Sequence, residues 1–355
     1  MSDNSQPKKK AIITVLEPED EYNHTPDEAT NYNESMYLNG FDLEQQIGGW
    51  FRLGNRVNEG YAEMSVCLYL PGGRVGFMFG RPKIDTNTEM RAGGLHIEVL
   101  KPFETLRVTY EGNVVLLDDP AQMTNPRAAF KENPQVSCEV RLDVTGVSPM
   151  YGGRPVYEDG TEIESGPDDK SFAKAHYEQH TKVTGTIVVG EEAFPIDGLG
   201  LRDKSWGPRY WQAISSYRWL PMIFDEGFAL MLSLIGDDPA TMRRSGMVLE
   251  GNEYHKIVDC TVETTYDELF HQTSMKCWAK SETGKEYEID GEVISLIPLR
   301  NRRKTPDGDE LFTRITEAMT SFTCEHDGVT KVGMGMSEYL DQMIDGRPNG
   351  PDIPT

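Results

Sequence analysis

The chain has 355 residues and a formal net charge of −23, with 58 acidic against 35 basic side chains. A surface so acidic repels phosphate backbones and anionic lipid heads, which excludes nucleic acid as a partner. The five cysteines are odd in number, scattered and free of any Cys-x-x-Cys pair, so neither a disulfide framework nor a structural zinc site is expected. The longest early apolar run, Ala11 to Leu16, is too short for a signal sequence or a membrane span. A reduced, cytoplasmic setting follows, and the Asn23 and Asn33 sequons carry no meaning there. An acidic surface does not forbid a homodimer.

Residues 1–30 read as a polar N-terminal arm. From Met64 to Leu70 the sequence alternates, breaks at Pro71-Gly72-Gly73 and resumes from Arg74 to Phe79, the pattern of a β-hairpin. Gly94–Val99 is a further strand. Leu106–Tyr110 and Val114–Leu117 flank a predicted turn at Glu111-Gly112-Asn113. Val136–Val144 alternates. Pro149–Asp169 is rich in Gly, Pro and acids and reads as a loop within the first half. Short helices are predicted at Asn33–Leu38 and at Pro167–His180, the latter capped by Asp168 or Asp169. Lys182–Val189 and Ala193–Leu201 flank Gly190-Glu191-Glu192. Strands then follow at Phe228–Ile235, Ser245–Glu250, Lys256–Thr265, Ser274–Lys280, Glu286–Pro298 and Thr313–Cys324. Many strands with tight turns and few helices predict an all-β protein of two barrel or sandwich domains. These are placed at residues 31–205 and 206–345, with a flexible tail at 346–355. The basic runs Lys8–Lys10 and Arg300–Lys304 are read as a solvated tail and a solvated loop.

The densest stretch is Gly198 to Trp211. Strand alternation puts Leu199, Leu201 and Asp203 on one face, and Arg202 and Lys204 on the other. Gly207-Pro208 ends or bulges the strand. A carboxyl at the end of an apolar row suits a general acid, because desolvation disfavours its charged form. The alternative is a structural pairing of Asp203 with Arg202 or Arg209 that locks the halves together. Tyr210, Trp211, Tyr217, Trp219 and Phe224 follow closely. They predict either a π-lined pocket for an apolar ligand, whose ring faces would stabilise a carbocation, or ordinary packing. His176 and His180, four residues apart, would share a helix face, with Glu178 on another. They are read as a solvated or substrate-contacting segment, not as metal ligands. Glu338 and Tyr339 are candidates for the pocket mouth, and Glu59 and His96 are outsiders. No phosphate-binding loop, dinucleotide fingerprint or Gly-x-Ser-x-Gly elbow occurs.

The Asp203-x-x-Trp206-Gly207 element after a Gly-rich strand resembles the signature of the carotenoid 1,2-hydratase (hydroxyneurosporene synthase) and AttH-like superfamily. Within it the chain is similar to uncharacterised bacterial members with an Arg-Asp-x-Ser-Trp-Gly-x-Arg run, here Arg202–Arg209. Asn58-Glu59-Gly60, Gly93-Gly94-Leu95, His176-Tyr177-Glu178-Gln179 and Gly333–Tyr339 match as well, so the resemblance spans roughly residues 30–345. It implies two fused lipocalin-like barrels that handle large apolar substrates without a cofactor. The carotenoid enzymes protonate an alkene and add water to the resulting cation, and related barrels include pericyclic and tocopherol cyclases. By matching position, Asp203 would be the proton donor, Trp206 a pocket wall or cation stabiliser, and Arg209 the group that orients Asp203 or a polar part of the substrate. Trp211, Tyr217, Trp219, His176, Glu338 and Tyr339 are the expected substrate contacts. Lys204 beside the acid departs from the pattern. Two functions stay open on the sequence: a cofactor-independent lyase or isomerase acting on a terpenoid, steroid or aryl substrate in a barrel cavity, and a carrier that binds an apolar molecule without changing it.

Overall fold

The computed structural model describes residues 10–163, 173–210, 214–304 and 310–353. In the first half the strands are β1 (Ile12–Val15), β2 (Tyr32–Asp42), β3 (Ile47–Arg56), β4 (Tyr61–Tyr69), β5 (Val75–Gly80), β6 (Met90–Ala92), β7 (Leu95–Lys101), β8 (Thr105–Leu117), β9 (Gln135–Gly146), β10 (Tyr151–Tyr157), β11 (Ala175–Val189) and β12 (Glu192–Pro208). A single α-helix among the described residues, α1 (Pro126–Glu132), joins β8 to β9. The second half is β13 (Ser216–Asp225), β14 (Phe228–Ile235), β15 (Arg243–Glu250), β16 (Glu253–Tyr266), β17 (Gln272–Ser281), β18 (Glu286–Lys304), β19 (Glu310–His326), β20 (Val329–Ile344) and the short β21 (Arg347–Pro348).

Each half closes on itself. In the first, the antiparallel order β2-β3-β4-β5-β8-β9-β11-β12 returns to β2 through the β12–β2 pairing. In the second, β13 to β20 pair in chain order, and β20 pairs with β13. Closure leaves neither barrel with a free edge in its main wall. The fold is thus all-β and lipocalin-like in duplicate. No helix of the described residues is long and apolar enough to cross a membrane, and all five cysteines are free and buried.

Alternation fills both barrels. Met36, Leu38, Phe51, Leu53, Val66 and Leu68 point into the first, and Leu220, Met222, Leu230, Leu232, Val248 and Phe322 into the second. The opposite faces of the same strands pack the barrels together. Phe41, Trp50, Tyr69 and Phe77 of the first meet Ile297, Met319, Met334 and Met336 of the second. At this seam Trp219 Nε1 donates to Glu178 Oε1 (3.0 Å), and Tyr69 OH donates to the Glu317 carbonyl (3.0 Å).

Several predicted elements differ in instructive ways. The turn expected at Glu111–Asn113 is absent, because β8 runs straight through it. Gly112 is there to make room, since a Cβ at this position would stand 2.5 Å from the Tyr110 hydroxyl, which curls back to donate to the Asn113 carbonyl (2.7 Å). The helix expected at Asn33–Leu38 is part of β2. The described portion of the helix expected at Pro167–His180 is the start of β11, and residues 164–172 lie outside the described residues. The supposed loop at 149–169 contains β10, which pairs with β1 and β11. Arg300–Lys304 continue β18 instead of forming a loop. The helix that does form, α1, starts at Asn125-Pro126 and packs Ala129 and Phe130 over the side of the seam.

Candidate functional site between the barrels

Antiparallel pairing puts directly opposite residues on one face, with Cβ atoms about 4.5–5.5 Å apart. Register therefore assembles a lateral row on the outer face of the first barrel: Glu178 (β11), Asp203 (β12), Tyr37 (β2), Arg52 (β3) and Ser65 (β4). One step along the strands lies a second row, His176, Ser205, Ser35, Gly54 and Glu63. A Cβ on Gly54 would sit 2.8 Å from Arg52 Nη2, so this glycine provides the space in which the guanidinium lies. From the second barrel, Trp219, Glu338 and Glu317 form the facing row across β13, β20 and β19.

The centre of the site is the contact of His176 Nε2 with Asp203 Oδ2, with Glu178 Oε1 3.7 Å from the same nitrogen. Burial alone would lower the His176 pKa. The Asp203 charge, its hydrogen bond and the Glu178 charge outweigh burial and Arg209, and raise it to about 9. Glu178 is driven the opposite way for its type, up to about 7. Burial is the main cause and the Asp203 charge adds to it, against His176 and the Trp219 indole. Its Oε2 has no hydrogen-bond partner among the described residues. The His176 side chain keeps 48% of its surface accessible, whereas Glu178 beside it keeps 1%.

Cations and further carboxyls ring this centre. Arg209 Nη2 donates to Ser205 Oγ (2.7 Å), and its backbone is tied to Asn31 in both directions. Burial, then the like charge of Arg52, push its pKa down against Asp203 and Glu63, though a guanidinium stays charged at neutral pH. Arg52 Nη1 donates to Glu63 (3.3 Å). Burial favours the neutral form of Glu63, but Arg52, Arg56, Arg209 and Arg81 together hold its pKa low. On the second barrel's side of the seam Tyr217 OH donates to Glu338 Oε1. Glu338 and its neighbour Glu317 are both raised, first by burial. The charge of Glu338 adds to the shift of Glu317, and that of Asp203 to the shift of Glu338.

Of the residues singled out from the sequence, Asp203, Arg209, His176, Tyr217, Trp219 and Glu338 converge here. Trp206 does not. It lies on the other face of β12, stacked on His24 (centroids 4.1 Å apart) and edge-on to Tyr177. Tyr339 points into the second barrel, where Arg218 lies 4.4 Å from its ring and its hydroxyl meets Thr264 (2.8 Å). Trp211 lies outside the described residues. Glu59 pairs with Arg56, His96 sits on β7, and His180 contacts Tyr254 (2.8 Å) farther along the seam. Asp203 is partnered by His176, its charge acts on Arg209, and Arg202 pairs with Glu21 on the other face of β12. The polar groups lie between the barrels and not inside either one. Arg52, Glu63 and Glu317 went unnoticed in the sequence, and Glu178, expected on a different helix face from His176, shares its strand face instead.

His176, Glu178 and Asp203 each offer a ligand atom within 4.8 Å of the other two, so they are the described residues that could hold a metal. A divalent cation there would displace the proton on His176 and meet the like charges of Arg209 and Arg52. The donor set fits a protonated histidine better, and no metal step is derived.

Residues 17–343 match the family model described as domain of unknown function DUF7064. No curated protein matches the chain. Among solved structures, a putative AttH (NE1406) from Nitrosomonas europaea aligns at TM-score 0.56 with 14% identity, covering 88% of this chain and 93% of its own. Kievitone hydratase from Nectria haematococca aligns at 0.53 with 10% identity, covering 86% and 88%. CghA with Sch210972 aligns at 0.51 with 9% identity, covering 96% and 99%. At such identities the likeness is one of fold.

Proposed function

The chain belongs to the DUF7064 family, a domain of unknown function, and we propose that it is a cofactor-independent acid–base enzyme of the hydratase or isomerase kind, acting on an apolar substrate held between its barrels. The observation that carries this reading is the unit of His176, Asp203 and Glu178 on the outer face of the first barrel, with Glu178 tied to Trp219 of the second. Environment has separated the two pKa values, to about 9 for His176 and about 7 for Glu178. At neutral pH a proton donor thus stands beside a carboxyl divided between its two forms, the arrangement general acid–base chemistry needs. Tyr37, Trp50 and Trp219 give an apolar, π-faced wall. Arg52 and Arg209 are suited to a polar group of the substrate.

In hydration, the His176–Asp203 pair delivers the Nε2 proton to one alkene carbon, whose π electrons form the new C–H bond. Water bonds to the other carbon through its oxygen, and Glu178 takes the proton that water sheds. Transfer from Glu178 back to His176, across 3.7 Å, restores the starting state. Omitting the water step gives isomerisation by loss of a different proton. Hydration is the first reaction to test, because a hydratase shares the fold.

The experiment is incubation with terpenoid, prenyl-aryl and aryl alkenes in D₂O, read as deuterium gained at carbon. The expected result is incorporation by the wild type that Asp203→Asn loses while still binding the ligand. An identified substrate turned over at wild-type rate by Asp203→Asn would overturn the role of the pair. Binding without turnover across the panel would favour a carrier.

A further inference from the structure

A pocket of about 260 Å³ opens at the other end of the seam, with Phe41, Leu199, Ile223 and Met334 among its lining residues. Lys182 stands at its rim, 3.2 Å from Glu226 of the second barrel and 3.7 Å from Asp197. These are exposed ion pairs, of the kind that holds weakly and parts readily.

Three strands run from this pocket to the acid–base centre, each with one face toward the seam. On β12 the residues are Leu199, Leu201 and Asp203. On β20 they are Met334, Met336 and Glu338, and on β13 the series passes from Ile223 to Trp219. Four residues of strand separate the two ends, about 13 Å at roughly 3.3 Å per residue. The layer between is soft. Leu201 packs on Met231 and Met247, and Met336 belongs to the cluster of Phe41, Tyr37 and Trp50. Methionine is unbranched and repacks around a guest more easily than the Leu and Val that dominate the barrel interiors.

We infer that the seam is one elongated binding site, taking a linear hydrocarbon chain with a polar head: the head lies at His176 and Asp203, and the tail lies between Leu201 and Met336 and ends in the pocket at Leu199, Ile223 and Met334. This rests on the reading of the acid–base centre as the reactive end, and it selects extended chains over compact polycycles. The Lys182–Glu226 pair covers the tail end.

The test is calorimetric titration of the full chain with straight-chain alcohols from n-butanol to n-dodecanol. Affinity is expected to rise about three- to four-fold per added methylene, as burial of each CH₂ predicts, and to level off once the chain spans the seam. Leu199→Trp fills the pocket floor, so its affinities level off at a shorter chain and n-dodecanol binds at least tenfold more weakly. If Leu199→Trp fails to fold, Lys182→Trp, placed at the half-exposed rim, carries the same expectation. Asp203→Asn keeps the length dependence, so failure of the acid–base reading and failure of the tail site are told apart. Wild-type affinity that does not rise with chain length, or n-dodecanol binding unaltered by the pocket variants, overturns the inference.

Discussion

The two faces of β12 carry adjacent charges with opposite fates. On the inner face, Arg202 Nη1 meets Glu21 (2.8 Å) and its Nε donates to Gln179 (2.7 Å). Lys204 meets Glu34 (2.9 Å) and donates to the carbonyls of Asp20 and Tyr22, both at 2.7 Å. The N-terminal segment brings in Asp20, Glu21 and Tyr22, β2 supplies Glu34 and β11 Gln179, and every charge finds donors or acceptors. On the outer face, Asp203 joins a cluster in which Glu178 keeps a buried oxygen unpartnered and two protonation equilibria are displaced. The inner-face ions are almost wholly buried, whereas on the outer face Glu178 is buried beside a half-exposed His176 and a partly exposed Asp203, and satisfaction differs as well. Matched buried ions hold a structure together, whereas frustrated ones store the capacity to move protons.

This contrast can be broken by mutation, and the inner face should respond most. Arg202→Met leaves the Glu21 carboxylate buried without its cation. It should lower stability by about 3–5 kcal/mol, measured as the shift in the urea midpoint. A change under about 1 kcal/mol would erase the distinction between the faces. Asp203→Asn should move the urea midpoint far less, while turnover falls by about 10²–10⁴, the range general acid–base catalysis supplies.

Glu178→Gln sharpens the comparison through pH. The Glu178 pKa is raised in the folded protein from 4.5 to about 7. Its protonation therefore stabilises the fold fully below pH 4.5, and that stability is lost as pH rises through 7. The Gln variant should flatten the decline between pH 4.5 and 7, which denaturation at several pH values would reveal. The smallest effect belongs to Trp206→Phe. Weakening its stack on His24 should cost about 0.5–1.5 kcal/mol and leave turnover unchanged. Loss of turnover at preserved stability would return Trp206 to the reactive centre.

Much of this contrast is legible along the chain. The alternation Leu199-x-Leu201-x-Asp203 separates Asp203 from Arg202 and Lys204, as the structure shows. Hairpins marked by Pro71-Gly72-Gly73 and Gly190-Glu191 are local and readable. His176 is harder, because a four-residue His spacing reads as one face of a helix. On a strand, where alternate side chains share a face, His176, Glu178 and His180 fall together instead. Asn125-Pro126 did carry a readable signal, a capping residue type before proline at the first helical position. Arg52, Glu63 and Glu317 had none. They reach Asp203 through barrel closure and register across more than a hundred residues of chain, which no local pattern encodes.

The unity of His176, Asp203 and Glu178 can be measured without knowing the substrate. Proton–nitrogen NMR of the protein labelled at its seven histidines would follow each ring through a pH titration. The account predicts that His176 titrates near pH 9 and that its midpoint falls in Asp203→Asn. A His176 midpoint at the ordinary value near 6.5, unmoved by Asp203→Asn, would contradict it.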